Sequence, residues 1–356
     1  MENDKRVVGA AIIGYGGIGR GWHAPNIKSI DGIELIGIYD IDPEKLELAE
    51  NDGVKAYQSR EELLADEKID IIIIGTPNDV HKEIALASMD VGKNVICEKP
   101  VAMNSAELEE MIASANKNKV LFTVNQNRRW DNDYLTVRKI VENNMLGNVF
   151  NIESRVQGSR GIPADWRNCK QYGGGMIFDW GIHLLDQALI IMGDRKLKSV
   201  FATRTNITNA EVDDGFRATL NFGDINYYVE VTTSNFISLP RWYVLGENGT
   251  AVIENWQLDG KIVKVSDWEN RDAVPVHAGM GLTKTMAPRT DDTIKTYPLP
   301  KPDKGESWQS FYKNVIACLN GEESAFVTHE QIRRSLKLVE AIVESSETNA
   351  VVPFEE

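Results

Sequence analysis

The sequence predicts an α/β protein in two parts: a doubly wound parallel sheet, then a second α/β domain built on an open, mainly antiparallel sheet. Residues 7–127 alternate short apolar runs with helix-periodic segments, the strand–helix alternation that builds a parallel sheet. After about residue 128 the strands follow one another with apolar and polar residues in alternation, as strands do when one face packs on a core and the other stays polar. A chain of 356 residues, 42% apolar and 26% charged, is long enough to bury two cores.

In order, VVGAAIIG is a strand and the helix behind it runs to about Ile30; IELIGIYD is a strand and a helix starts at Pro43. The isoleucine block at 71–74, between Asp70 and Gly75, fits a central strand buried on both faces. A helix near His81 to Asp90 leads to NVICEKP, counted as a fifth strand. SAELEEMIASANKNK is amphipathic, and VLFTVNQNRR is counted as a sixth strand. The boundary falls between residues 1–127 and 128–356. In the second part, Phe216, Ala218, Leu220 and Phe222 share one face of FRATLNF, and VFNIESRVQ and NYYVEVTTS read alike. Helices are expected at 131–145, at about 176–192, and in SWQSFYKNVIACLN and HEQIRRSLKLVEAIVESS. The stretch from Asp259 to Ser307 is longer than a hairpin needs and contains a segment rich in Gly, Thr and Met, so it is expected to form part of a substrate-cleft wall, in its own chain or across a subunit boundary, with His277 and Met280 as candidates.

The net charge of −14 and the lack of any Lys/Arg run argue against a nucleic-acid partner. The opening MENDKR is charged with no apolar stretch behind it, and runs such as Ile71 to Ile74 are strand-sized, so the expectation is a cytoplasmic protein without a membrane span. Cys97, Cys169 and Cys318 are odd in number and lack metal-type spacing, which argues for reduced thiols and against a disulfide framework or metal site.

Three motifs carry chemistry. Gly14, Gly16, Gly17, Ile18 and Gly19 lie in a GxGxxG that follows a strand and opens a helix, with Asp40 ending the next strand. Such a turn brings backbone N–H groups and a helix dipole to a pyrophosphate, and the acid takes the ribose hydroxyls. Glu98-Lys99-Pro100 ends a strand at its carboxyl edge, where doubly wound sheets bind ligands. Asp179, His183 and Asp186 are spaced i, i+4, i+7, so on a regular helix they share a face, and Gly181 between them suggests close approach by a ligand. The bland alternatives are a solvated strand-end lysine and a satisfied core histidine.

Together with Thr76-Pro77-Asn78 and His81, these motifs resemble the Gfo/Idh/MocA family, named for glucose-fructose oxidoreductase and inositol dehydrogenase, in the right order along the whole chain. The resemblance implies a cleft in which Lys99, Asp179 and His183 face the nicotinamide of NAD, while Thr76, Pro77, Asn78, His81 and Glu98 lie along the cofactor. His23 matches a position near the nicotinamide end, with helix-entry packing as its alternative. Asn127 to Asp131 resembles the subset acting on inositols and related sugars. There Arg129 either reaches substrate or makes a domain-junction salt bridge, and Trp166 and Arg167 either contact the sugar or decorate the surface. The implied reaction is NAD-dependent oxidation of a ring hydroxyl of a sugar, cyclitol or glycoside, with His183 as base. Asp40, with Ile41 and Asp42 after it and no arginine, favours NAD over NADP. The alternatives are 3-oxidation of a glycoside as a step toward its cleavage, and a cofactor-binding sensor without turnover. A homo-oligomer, dimer or tetramer, is implied through the second sheet, with Glu153, Arg155, Arg217 and Thr219 as candidates.

Overall fold

The isoleucine run lies at the centre of the first sheet, all four side chains fully buried. In the computed structural model, which describes residues 6–269, 273–303 and 307–355, this run is β3 (Ile71–Ile74), flanked by β1 (Val8–Ile13) and β4 (Asn94–Cys97). With β2 (Ile33–Tyr39) and β5 (Phe122–Val124) outside them, the parallel order is β2-β1-β3-β4-β5. The order reverses between β1 and β3, and there the turns after the two strands nearly touch. A Cβ on Gly14 (φ +96°) would lie 2.7 Å from the Gly75 carbonyl. That crevice is where an open α/β sheet takes a ligand.

The sheet has five strands, not the six counted from sequence: NVICEKP supplies the fourth and VLFTV the fifth. NQNRR leaves the sheet for a 3-10 turn at Asn127–Trp130. The place beside β2 receives only one bridge, Ala56 to Ile38, because the segment after Gly53 has no apolar run to pair further.

The second sheet has nine strands: β6 (Val149–Gln157), β7 (Ser199–Thr205), β8 (Gly215–Asn221), β9 (Asn226–Thr232), β10 (Trp242–Gly246), β11 (Gly249–Ile253), β12 (Gly260–Val265), β15 (Ile294–Tyr297) and β16 (Val352–Pro353). Their order is β15-β12-β11-β10-β6-β9-β8-β7-β16, antiparallel except for the central β6–β9 pair. The helices Asn132–Glu142 and Ile182–Met192 and the second half of His329–Thr348 close one face over a core that includes Tyr227, Trp242, Leu185 and Ile342. The last of these starts from a capping box between Thr328 and Gln331. The other face stays open, lined by Glu153, Arg155, Phe201, Arg217, Thr219 and Tyr228.

The chain then returns to its beginning. Phe311, Tyr312, Val315, Val327, Ile332 and Leu336 all belong to the first core, a return that a division at residue 127 leaves out. The stretch from Asp259 to Ser307, apart from 270–272 and 304–306, which lie outside the described residues, contributes four short strands joined by irregular chain. β12 and β15 pair at the sheet edge, and β13 (Val276–Ala278) and β14 (Gly281–Thr283) form a small exposed hairpin carrying His277 and Met280. None of the stretch's described residues lines the dinucleotide groove described below. Lys170–Met192, which includes the helix expected at about 176–192, has the length and apolarity of a membrane span, but it is mostly buried as a core helix.

Candidate active site

A groove of about 940 Å³ runs along the carboxyl ends of β1 and β3. From the first domain it is lined by Gly14, Gly16, Gly17, Ile18, Asp40, Thr76 and Pro77 among others. The glycines divide into two kinds. At Gly19 a Cβ would strike the Gly14 carbonyl at 2.1 Å, so this glycine serves the packing of the turn; Gly16 and Gly17 face open space. Asp40 accepts hydrogen bonds from the N–H groups of Tyr15 (2.7 Å) and Asp42 (2.9 Å), which aim its carboxylate at the groove. Thr76 Oγ1 is buried there without a partner. Open space over two glycines, a fixed carboxylate and an orphaned hydroxyl are what a dinucleotide's pyrophosphate and ribose require.

Trp166, Arg167 and Tyr172 line the same groove from the second domain, and Arg167 lies over the Trp166 ring at 4.5 Å. The loop carrying Trp166 and Arg167, expected either to contact the sugar or to decorate the surface, stands over the dinucleotide groove. Arg60 is also in the lining, an arginine the reading of Ile41 and Asp42 missed, but it is tied to Glu83 at 2.6 Å.

At the inner end, Arg167 reaches Asp179 at 3.3 Å. Asp179 also receives Lys99, whose Nζ donates to its carboxylate (3.0 Å) and to its backbone carbonyl (2.8 Å). An ammonium has three donors, so one N–H of Lys99 is left for a ligand. Burial raises the Asp179 pKa, but Lys99 and Arg167 outweigh it and hold the carboxyl below its ordinary value. His183 follows in the next turn, 5% exposed, with Nδ1 buried and without a partner, so it is not a satisfied core histidine. Burial, followed by the nearby cations Lys99, Arg128 and Arg241, pushes its pKa well below 6.5. The imidazole is therefore neutral and able to accept a proton at neutral pH.

The helix that presents these groups opens with a π turn, Ile177–Gly181, and becomes α-helical at Ile182. A π turn re-aims side chains and occurs often at functional sites. The single face expected for Asp179, His183 and Asp186 is thus broken. Asp186 turns to the domain junction and binds Arg129 bidentately at 2.6 and 2.7 Å. Four of the five Arg129 donors go to Asp186, the Phe326 carbonyl and Gln331, so Arg129 is the junction salt bridge, not a substrate contact. Gly181 also has another cause than the one expected: a Cβ there would meet the Phe216 ring at 2.9 Å.

Four residues expected along the cofactor support the groove from behind. Gly19 packs the turn. Asn78 ties its loop to the Gly173 carbonyl at 3.0 Å. His81, fully buried, bridges the carbonyls of Thr76 and Pro100, each at 3.0 Å. Glu98, 5% exposed, accepts from His23 (2.8 Å) and Asn125 (2.6 Å). His23 in turn meets Tyr312 at 2.6 Å, so it is a buried link between the first domain and the returning C-terminal helix. Burial raises the Glu98 pKa, but His23, Asn125 and Lys99 outweigh it and keep the group a carboxylate.

Residues 8–126 match the model of an oxidoreductase family with an NAD-binding Rossmann fold, and 134–252 match the GFO/IDH/MocA C-terminal domain. The chain belongs to the Gfo/Idh/MocA oxidoreductases. Its fold matches a solved NAD-binding protein from Listeria innocua with a TM-score of 0.94 and 44% identity, over 98% of this chain and 100% of that one. Relatives include the scyllo-inositol 2-dehydrogenase (NADP(+)) of Bacillus subtilis, 26% identical over 97% of this chain and 95% of that protein. The D-glucoside 3-dehydrogenase of Escherichia coli is 31% identical over 54% of this chain and 56% of that protein. The first domain is an NAD-binding Rossmann domain, and the chain is an oxidoreductase of a family that includes inositol and glucoside dehydrogenases.

Sequence reasoning passed over Arg128 and Trp180, which stand near His183, and Trp256, which meets Trp180. Arg128 lies over the Trp180 ring at 4.6 Å. Only the adjacency of Arg128 to Arg129 and of Trp180 to Asp179 hinted at the first two, and nothing near Trp256 did.

Proposed function

We propose that this enzyme oxidises a secondary ring hydroxyl of a sugar, cyclitol or glycoside using NAD. The observation that carries the reading is the meeting of Lys99, from the first domain, with Asp179, one turn before His183, from the second, at the inner end of the dinucleotide groove. His183, neutral at pH 7, takes the hydroxyl proton. Lys99 places its remaining donor on the same oxygen and favours developing alkoxide charge, and Asp179 fixes the ammonium. NAD, when bound, supplies the hydride acceptor. Trp166 and Arg167, which line the groove, would cover the dinucleotide, and Arg167 also pairs with Asp179. Inositols, free hexoses and glycosides offered with NAD, read by NADH absorbance, test the reading; no NADH from any of the three classes contradicts it.

The E. coli D-glucoside 3-dehydrogenase favours C3 of a glycoside as the position oxidised, and we propose as the second reading that such oxidation is a step toward elimination of the aglycone. Product analysis separates the two: stoichiometric NADH marks a dehydrogenase, free aglycone with catalytic NAD marks cleavage.

NAD is the preferred cofactor, because the Asp40 carboxylate repels a 2′-phosphate and Arg60 is held by Glu83. Asp40→Ser is expected to lower kcat/KM for NAD by about 10- to 100-fold, the size of losing charge-assisted hydrogen bonds, and to narrow the preference. A wild-type kcat/KM for NADP equal to that for NAD contradicts this.

The open face of the second sheet exposes Phe201 and Tyr228 around an ion-pair network in which Arg155 and Arg217 share Glu230. We assign this face to a second copy of the chain, through a fairly polar interface. Light scattering at micromolar concentration should give a dimer or tetramer mass; a monomer mass rejects the assignment.

A further inference from the structure

A ladder of aromatic and cationic groups runs outward from His183. Trp180, on the π turn, stands edge-on to the imidazole with ring centroids 5.9 Å apart. Trp256 follows 6.0 Å beyond Trp180, carried by the turn between β11 and β12. Arg128 lies over both indoles, at 4.6 and 5.5 Å, and donates to Asp131 at 3.2 Å. Behind Trp256, Arg241 stacks at 4.1 Å. Arg241 is 5% exposed and locked by Asp133 (3.0 Å) and the Arg155 carbonyl (2.6 Å), so the indole is held rigidly from one side. Trp256 is nevertheless 44% exposed, so part of the indole beyond Arg241, Arg128 and Trp180 meets solvent.

A tryptophan fixed by a buried cation yet left open to solvent costs apolar exposure and contributes nothing to the core. An aromatic face with a forked donor beside it suits a pyranose ring, whose C–H face stacks on the indole while its hydroxyls take the guanidinium. The position decides which ring. A ring held at Lys99 and His183 has Trp180 as its neighbour, and Trp256 stands one indole further out.

We infer that Trp256, with Trp180 and Arg128, seats a second pyranose ring, so that the substrates of this site are glycosides of at least two rings. The inference rests on the ring-hydroxyl oxidation proposed above. It makes Trp256 a specificity residue that touches the ring not undergoing oxidation.

The test compares cellobiose and maltose with methyl glucosides and myo-inositol, in wild type, Trp256→Ala and Trp256→Phe. Calorimetric binding to NADH-loaded enzyme, which cannot oxidise the ligand, reads the platform independently of turnover. Wild type should bind at least one disaccharide about tenfold more tightly than either single-ring ligand, the scale of one stacking contact. Trp256→Ala should erase that advantage, Trp256→Phe should restore most of it, and affinity for the single-ring ligands should not move. If the disaccharides are oxidised, KM should follow the same pattern with kcat within about twofold. The inference is overturned if no disaccharide outbinds the single-ring ligands in wild type, or if Trp256→Ala weakens one- and two-ring ligands equally. A disaccharide advantage lost in Trp256→Ala, with no NADH formed from any ligand, would uphold the platform and remove the oxidation reading instead.

Discussion

His183→Ala is expected to lower kcat for hydroxyl oxidation by about 100- to 10,000-fold, the loss typical of a missing general base. NAD binding should survive, because the groove is built on Gly14 to Ile18, Asp40, Thr76 and Pro77, none of which touches His183. The pH profile adds a second signature. A base gains activity as pH rises through its pKa, and burial together with Lys99, Arg128 and Arg241 holds the His183 pKa well below 6.5. The rising limb of kcat/KM in wild type therefore lies on the acid side of about pH 6.5, with a plateau through neutrality. That limb should be missing in His183→Ala. A limb retained in the variant would assign the base elsewhere.

The second large effect is on stability. Arg129 and Asp186 are 8% and 3% exposed, and besides Arg129 the Asp186 carboxylate accepts a long 3.3 Å hydrogen bond from the Ser335 hydroxyl. Arg129→Met leaves that charge buried and nearly alone, which costs about 3–5 kcal/mol. The double variant Arg129→Met, Asp186→Leu should recover most of the loss, since it removes both charges at once. Urea denaturation of the three proteins measures this. A wild-type midpoint in Arg129→Met with a raised KM for sugar would return Arg129 to the substrate.

The parts legible in the sequence were those where one local pattern has one physical meaning. Glycines between a strand and a helix, an acid ending the next strand and a four-isoleucine block each announce their place without help from distant residues. The Asp179–His183 spacing pointed to the segment that the fold brings against Lys99 in the candidate site, although its geometry was read as a regular helix. The π turn cannot be read from spacing, because it depends on how Gly181 meets Phe216 and how Asp213 accepts the Ile177 N–H. Asp186 and Arg129 are 57 residues apart, and their pairing is a tertiary fact. The same holds for Arg128, Trp180, Arg241 and Trp256, which come from four separate segments and share no period. The packing of Phe311 to Leu336 on the first core was hidden for a related reason: an amphipathic helix shows that it has a buried face, not which core receives it.

Single-turnover hydride transfer in Lys99→Met isolates the step at which the two domains act together. Methionine keeps the length of the side chain and removes the ammonium that Asp179 holds. With NAD bound and substrate mixed in excess, the first-turnover rate of NADH formation should fall by at least about 100-fold, as for loss of an oxyanion-stabilising donor, while NAD affinity measured by fluorescence stays at the wild-type value. A first turnover at the wild-type rate would contradict the assignment of Lys99, and with it the joining of the two domains into one catalytic site.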